Sequence, residues 1–450
     1  MGEELSLPAS AGHGRGGGTA RRAPGLMNQQ GIHRAIEAVW RIESAKIIAV
    51  LARMLRDVGQ AEEIAQDALV SALERWPDSG TPDNPAGWLM TVAKNRALDL
   101  LRHRKLTQDK ETELTYEIEG LLQDAAPDLE RALDDNIGDD LLRLVFVACH
   151  PVLSTEGRVA LTLRLLGGLT TEEIARAFFV PEATVAQRIV RAKRTLAEAK
   201  VPFEAPRGRE LVERLASVLQ VIYLIYNEGY SASAGADWMR PALCEEALRL
   251  GRVLAELAPQ EPEVHGLVAL MEIQSSRARA RTDARGAPVL LLEQDRSRWD
   301  QLLIRRGLAA LARAEQIGQG LGPYALQAAI AACHARARRA EDTDWGRIAA
   351  LYDGLAQLAP SPVVELNRAV ALSMAFGPET GLEVADALLD EPALRNYHLL
   401  PSVRGDFLFK LGRKAEARAE FERAAAMTQN ERERDLLLTR AAACAELPAP

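Results

Sequence analysis

Apolar residues recur at helical spacing through most of this chain and seldom alternate in the manner of strands, so the pattern predicts an all-α protein. The clearest stretch is 170–196, TTEEIARAFFVPEATVAQRIVRAKRTL, which predicts two helices joined by a tight turn. Thr170, followed three residues later by Glu173, is a capping-box start. Ile174, Ala175 and Phe178 share one face behind that cap. Pro181 predicts the end of the first helix, because a residue before proline is pushed out of the α region. In the second helix Val185, Ile189, Ala192 and Leu196 form a core stripe. Thr184, Gln187, Arg188 and Arg191 occupy a different face. A hydroxyl, an amide and guanidinium groups presented together can meet base edges and phosphates in a major groove. On an ordinary helix pair the same face is merely solvated.

Upstream, the periodicity predicts a helix over 32–55, then an acidic segment, 57–83, with seven Asp or Glu against Arg75. Glu62, Glu63, Gln66 and Asp67 fall mostly on one side of a helix there. That side is either a solubilising face or a docking surface for a basic protein. The sign then reverses in 84–105, NPAGWLMTVAKNRALDLLRHRK, where five Lys or Arg stand against Asp99. Pro85 suits a first helical turn, and Trp88 sets an aromatic among cations that can neutralise phosphates. Trp88 on its own reads more readily as a core residue than as a stacking platform. The next stretch, 107–140, carries twelve Asp or Glu against Lys110 and Arg131, which predicts an extended or partly disordered linker. Two apolar helices, 141–150 and 158–166, then buttress the helix pair, with Pro151 and Ser154 marking the break between them.

Composition narrows the classes. A formal charge of -8 argues against a wholly basic nucleic-acid coat, so the local segregation of charge matters more than its sum. The four cysteines, Cys149, Cys244, Cys333 and Cys444, lack metal-ligand or redox spacing and read as reduced, buried thiols. Neither a metal nor a cofactor is expected. No apolar run has the length of a membrane span and no signal-peptide core stands at the start, so a cytoplasmic protein without membrane contact is expected. The Gly- and Arg-bearing residues 1–30 read as a disordered tail, and Met27 is a candidate start of translation.

The motifs QAEEIAQDAL at 60–69, NPAGWLMTVAKNRALDLLRHRK, the acidic linker and 169–196 together resemble the extracytoplasmic-function class of bacterial RNA polymerase sigma factors. The resemblance covers roughly 31–200 and rests on three motifs in order. It implies a region 2-like domain at 31–106, a linker at 107–137 and a region 4-like helix-turn-helix domain at 138–200. By resemblance, Glu62, Glu63, Gln66 and Asp67 dock on the polymerase β′ subunit. Trp88, Lys94, Asn95, Arg96, Asp99, Arg102 and Arg104 lie in the segment that opens and reads the -10 element. Thr184, Gln187, Arg188, Arg191 and Lys193 lie in the helix that reads the -35 element. The partners implied are RNA polymerase core, through its β′ and β subunits, and promoter DNA. Pro181 stands where the family often has a serine cap, and Ala186 where a polar residue is common.

Small sigma factors of this class usually end near residue 200, whereas this chain continues through a hinge at 201–210 into helices over 211–450. Gly405, Leu408, Ala417, Phe421 and Ala424 follow the small-large-small pattern of a tetratricopeptide repeat. Such helix pairs suggest a surface for a regulatory protein or peptide, or else a plain helical scaffold. Asn227, Glu228, Asp295 and Arg296 bring no activated nucleophile, phosphate loop or metal cluster with them, so no enzyme is expected and these residues read as caps. The competing function is a helix-turn-helix regulator with a sensing tail, which leaves the Trp88 segment and the acidic linker without a role.

Overall fold

The computed structural model describes residues 24–107, 129–178 and 180–445 and contains eighteen α-helices among them, with one pair of two-residue strands. The first three helices, α1 (Pro24–Leu55), α2 (Val58–Ser79) and α3 (Pro85–Thr107), pack on one another around Ile47, Leu51, Ala65, Trp76 and Leu89. Asp57 starts α2 by accepting the Gln60 amide at 3.1 Å. Residues 24–30, expected in the tail, already belong to α1, while 1–23 lie outside the described residues.

Residues 129–137, expected within the acidic linker, are helical. Residues 108–128 lie outside the described residues, but α4 (Leu129–Ala148) takes up the remainder as helix. Asp140 explains the C-terminal part of this change. It is fully buried, with Arg53 Nε of α1 at 3.1 Å and Arg143 at 2.7 Å. Burial pushes its carboxyl above the ordinary range, and the two arginines draw it back. An acid counted as linker charge is therefore a tie between α1 and α4.

Helices α5 (Thr155–Leu165), α6 (Thr171–Phe178) and α7 (Glu182–Glu198) follow. Ser154 caps α5 through the Gly157 amide at 3.2 Å. The expected capping box of α6 is present in both directions: the Glu173 amide donates to Thr170 Oγ1 at 3.1 Å, and the Thr170 amide donates to Glu173 Oε2 at 2.8 Å. The buried residues of α7 are Val185, Ile189, Ala192 and Leu196, the stripe expected from the spacing.

The next helix, α8 (Gly208–Tyr230), alters the reading of 201–210 as a free hinge. Arg214 donates to the Phe146 carbonyl at 2.8 Å and Ser217 to the Cys149 carbonyl at 2.7 Å, so α8 satisfies the C-terminal end of α4. Val201 and Phe203 in the connection also pack on the same core. That core runs unbroken from Ile32 to Met271. Helix α8 continues through Asn227–Tyr230, and Gly229 allows the close crossing: a Cβ there would meet the Cys244 amide nitrogen at 2.6 Å.

The rest of the extension comprises α9 (Pro241–Leu257), α10 (Pro262–Ser275), α11 (Gln301–Ile317), α12 (Pro323–Arg336), α13 (Trp345–Leu358) and α14 (Pro362–Phe376). It ends with α15 (Pro378–Asp386), α16 (Leu399–Lys410), α17 (Lys414–Met427) and α18 (Glu431–Ala443). From α10 onward each helix packs on its chain neighbour. Gly405, Leu408, Ala417, Phe421 and Ala424 are all buried, with Gly405 against the Phe421 ring. The far end returns to the beginning: β1 (Ala234–Gly235) pairs in parallel with β2 (Gln429–Asn430). Buried Asn430 donates to the Ala232 and Asp237 carbonyls at 3.0 and 2.9 Å and accepts the Glu433 amide at 3.1 Å. The stacked helices thus close on themselves.

Candidate nucleic-acid interface

Three groups of side chains were expected to act together, and the structure divides each of them. On α2, Glu63 and Asp67 are exposed, and Val70 and Glu74 continue their stripe at i+7 and i+11. Val70 is 48% exposed, an apolar spot among acids that charge counting along the sequence missed. Gln66 is half-buried and donates to Glu62. Glu62 itself is 3% exposed and faces the other way. Its Oε1 receives Arg164 Nε of α5 at 2.6 Å, and its Oε2 pairs with Lys193 of α7. Arg164 also donates to the Leu169 carbonyl at 3.1 Å, at the entry to the helix-turn-helix. One carboxylate of the first module thus holds two cations of the second.

The -35 group is split by the same contact. Thr184 and Arg188 are half-buried, while Gln187 and Arg191 are exposed, along a groove of about 310 Å³ bordered by Ser154 and Gly157 of the α5 start. Lys193 lies two residues beyond Arg191, roughly 200° around the helix, and so points at Glu62 instead of this groove. In this arrangement Lys193 and Glu62 face each other between the modules, and neither joins the exposed residues expected beside it. Pro181 precedes α7 in an extended conformation, φ -59° and ψ 143°, with no side-chain cap. A second tie between the modules joins Arg41 of α1 to Glu173 of α6 at 3.1 Å.

On α3, Asn95, Asp99 and Arg102 form one exposed stripe, with Arg102 and Asp99 paired at 3.1 Å. Arg104 is exposed and donates to Gln60. Lys94 is half-buried. Arg96 turns back onto α2, meeting Asp67 at 3.0 Å and Ser71 Oγ at 2.9 Å. Trp88 packs edge-on against buried Trp76, centroids 5.4 Å apart, which anchors it beside the stripe.

The extension reaches this assembly directly. Arg249 of α9 donates to the Leu166 carbonyl and pairs with Glu246, so a residue beyond the two modules fixes the turn before α6. Neither Arg164 nor Arg249 was singled out in the sequence. The available signal was an arginine inside an apolar helical run, which marks a buried partner without naming it. Burial pushes the Cys149 thiol to about 11 and that of half-buried Cys244 to about 12, leaving both as protonated thiols. Among the described residues no cluster of three His, Cys, Asp or Glu is placed to hold a metal ion, and no helix is long and apolar enough to cross a membrane. Glu228 pairs with Arg240 and accepts the Ser233 amide, and Asp295 accepts the Ser297 amide, so these polar residues close turns.

Comparison with known proteins agrees with this layout. Sigma-70 region 2 matches residues 41–107, Sigma-70 region 4 matches 143–196, and a family of unknown function (DUF6596) matches 214–315. An uncharacterized protein of Rhizobium meliloti, R00370, is 46% identical over 85% of this chain and 89% of its own length. The probable ECF RNA polymerase sigma factor SigI of Mycobacterium tuberculosis is 28% identical over 38% of this chain and 57% of its own length. The ECF RNA polymerase sigma factor SigK of Mycobacterium ulcerans is 28% identical over 34% of this chain and 78% of its own length. The chain belongs to the sigma-70 family, as a sigma factor of the extracytoplasmic-function type with a C-terminal extension.

Proposed function

We propose that this sigma factor binds RNA polymerase core through its β′ and β subunits, directs initiation at promoters bearing -10 and -35 elements, and has its activity set by the extension. The observation that carries the reading is the pair of exposed polar faces, Gln187 and Arg191 on α7 and Asn95, Asp99 and Arg102 on α3, in modules matching regions 4 and 2. Glu63, Asp67, Val70 and Glu74 supply the docking stripe for a basic, partly apolar surface on core. In the free chain Glu62 holds the two modules together, so reading two separated promoter elements requires the Arg164 and Lys193 contacts to part. Core binding and DNA contacts must then offset that loss. The extension bears on the same equilibrium through Arg249 and through α8, which is built into the second module's core. Its stacked pairs act as a tetratricopeptide-like platform for a protein or peptide regulator. Run-off transcription with purified core tests the reading, comparing core alone, core with the full chain, and core with Gln187→Ala/Arg188→Ala. Promoter-specific transcripts that need the full chain and fall with the double variant are expected. Transcription indifferent to either change overturns it.

A further inference from the structure

The closed extension surrounds a cavity of about 290 Å³, near the lower end of the range for small-ligand pockets. It is bordered by side chains from α8, α10, α12, α13 and α14, and it reaches solvent at Asn367. Four tyrosines, Tyr223, Tyr226, Tyr230 and Tyr352, give it aromatic walls, and Tyr226 and Tyr230 are stacked with centroids 5.7 Å apart. Its lining contains no aspartate or glutamate.

Arg277 brings the one full positive charge of that lining. Among the described residues its guanidinium donates only to neutral groups, the Tyr230 hydroxyl and the Gln274 side-chain oxygen, and its buried Nε has no hydrogen-bond partner there. Behind it stand two more arginines held by neutral oxygens. Arg281 donates to the Tyr230 carbonyl, and Arg296 donates to the His334 and Ala337 carbonyls at 2.8 Å and to Thr343 Oγ1 at 3.0 Å. None of the three has a carboxylate in ion-pair contact among the described residues. Arg281 is buried and Arg277 and Arg296 are half-buried, so charges held there by neutral oxygens favour the approach of an anion. His334 borders the same cavity, 8% exposed, and its Nδ1 also lacks a partner. Burial, with Arg277 and Arg296 nearby, lowers its pKa to about 4, so at neutral pH the imidazole is uncharged and can form a hydrogen bond without adding a cation.

From this arrangement we infer that the extension carries a binding site for a small organic acid, its carboxylate on Arg277 and its planar apolar body between the tyrosine rings. Charge-assisted contact with a guanidinium orients the carboxylate, and the aromatic walls favour a ring over a compact inorganic anion. The site lies outside both promoter-reading modules and is independent of how the chain engages polymerase.

The test uses the purified full chain, with no polymerase and no DNA. Benzoate, benzamide and inorganic phosphate are each titrated while the melting temperature and tryptophan fluorescence are followed. Trp345 lies edge-on to His334 at 5.1 Å, and the Trp299 ring is 5.8 Å from the Arg277 guanidinium carbon, so both report on the cavity. A saturable response to benzoate that benzamide does not reproduce is expected. Arg277→Gln should weaken it by about tenfold or more, the size of one charge-assisted hydrogen bond. Arg285→Gln, at an exposed site outside the cavity lining, should leave benzoate binding unchanged. Circular dichroism of Arg277→Gln establishes that it is folded. No saturable benzoate response, a response to phosphate alone, or equal benzoate binding by folded Arg277→Gln would overturn the assignment.

Discussion

Replacing Glu62 by glutamine keeps the shape of the side chain and removes the charge that joins the two modules. The carboxylate is 4% exposed, while Arg164 and Lys193 are each 21% exposed at the side chain. Breaking a buried ion pair by removing one partner costs about 3–5 kcal/mol when the remaining charge stays buried. Here both cations can turn partly to water, and the glutamine oxygen can still accept one hydrogen bond. The expected loss is therefore smaller, about 2 kcal/mol. It should be local, appearing as easier separation of α2 from α5 and α7 and not as global unfolding. Hydrogen exchange reads such a change directly, because local opening has its own free energy. A loss of 2 kcal/mol corresponds to about thirtyfold faster exchange of the amides protected by that contact. Arg164→Met should give a comparable effect. The double variant should fall short of the sum by about 0.5–3 kcal/mol if the two residues act as a pair. Added salt should change little, since screening is weak at a buried contact. Unchanged exchange in α7, or strict additivity in the cycle, would show that Glu62 does not hold the modules together.

Reversing Glu63 and Asp67 to lysine should weaken association with core polymerase, because like charges would then face a basic partner; unchanged co-purification would refute the docking stripe. Gln187→Ala and Arg188→Ala should each cost about 1–3 kcal/mol on the cognate upstream element if they meet base edges, measured against a scrambled element. Arg191→Ala should instead weaken all sequences alike and flatten the salt dependence; equal losses on every DNA for all three variants would mean that none reads sequence. Asn430→Ala removes both donors from the Ala232 and Asp237 carbonyls. It should lower stability by about 1–3 kcal/mol, with faster exchange in the loop after α8; a wild-type melting curve would show that water replaces the clasp.

The features carried by neighbours in sequence were legible without the fold. Thr170 and Glu173 are one helical turn apart, so their reciprocal cap follows from local geometry. The same holds for the buried stripe of α7, whose four members share one face by spacing alone. The extension's small-large-small positions are buried for a similar reason, since Gly405 faces Phe421 across one helix pair. What the sequence could not state was which helix each face meets. Glu62 and Asp140 look like ordinary members of acidic runs, yet each is buried because cations more than eighty residues distant along the chain arrive beside it: Arg164 and Lys193 for Glu62, Arg53 for Asp140. Likewise, nothing local separates Arg277 from the exposed arginines around it; its half-buried place against Tyr230 of another helix makes the difference. Hydrophobic periodicity orients a side chain relative to its own helix axis. Whether a charge is solvated, paired or left waiting for a partner depends on the register between helices, which long-range packing alone decides.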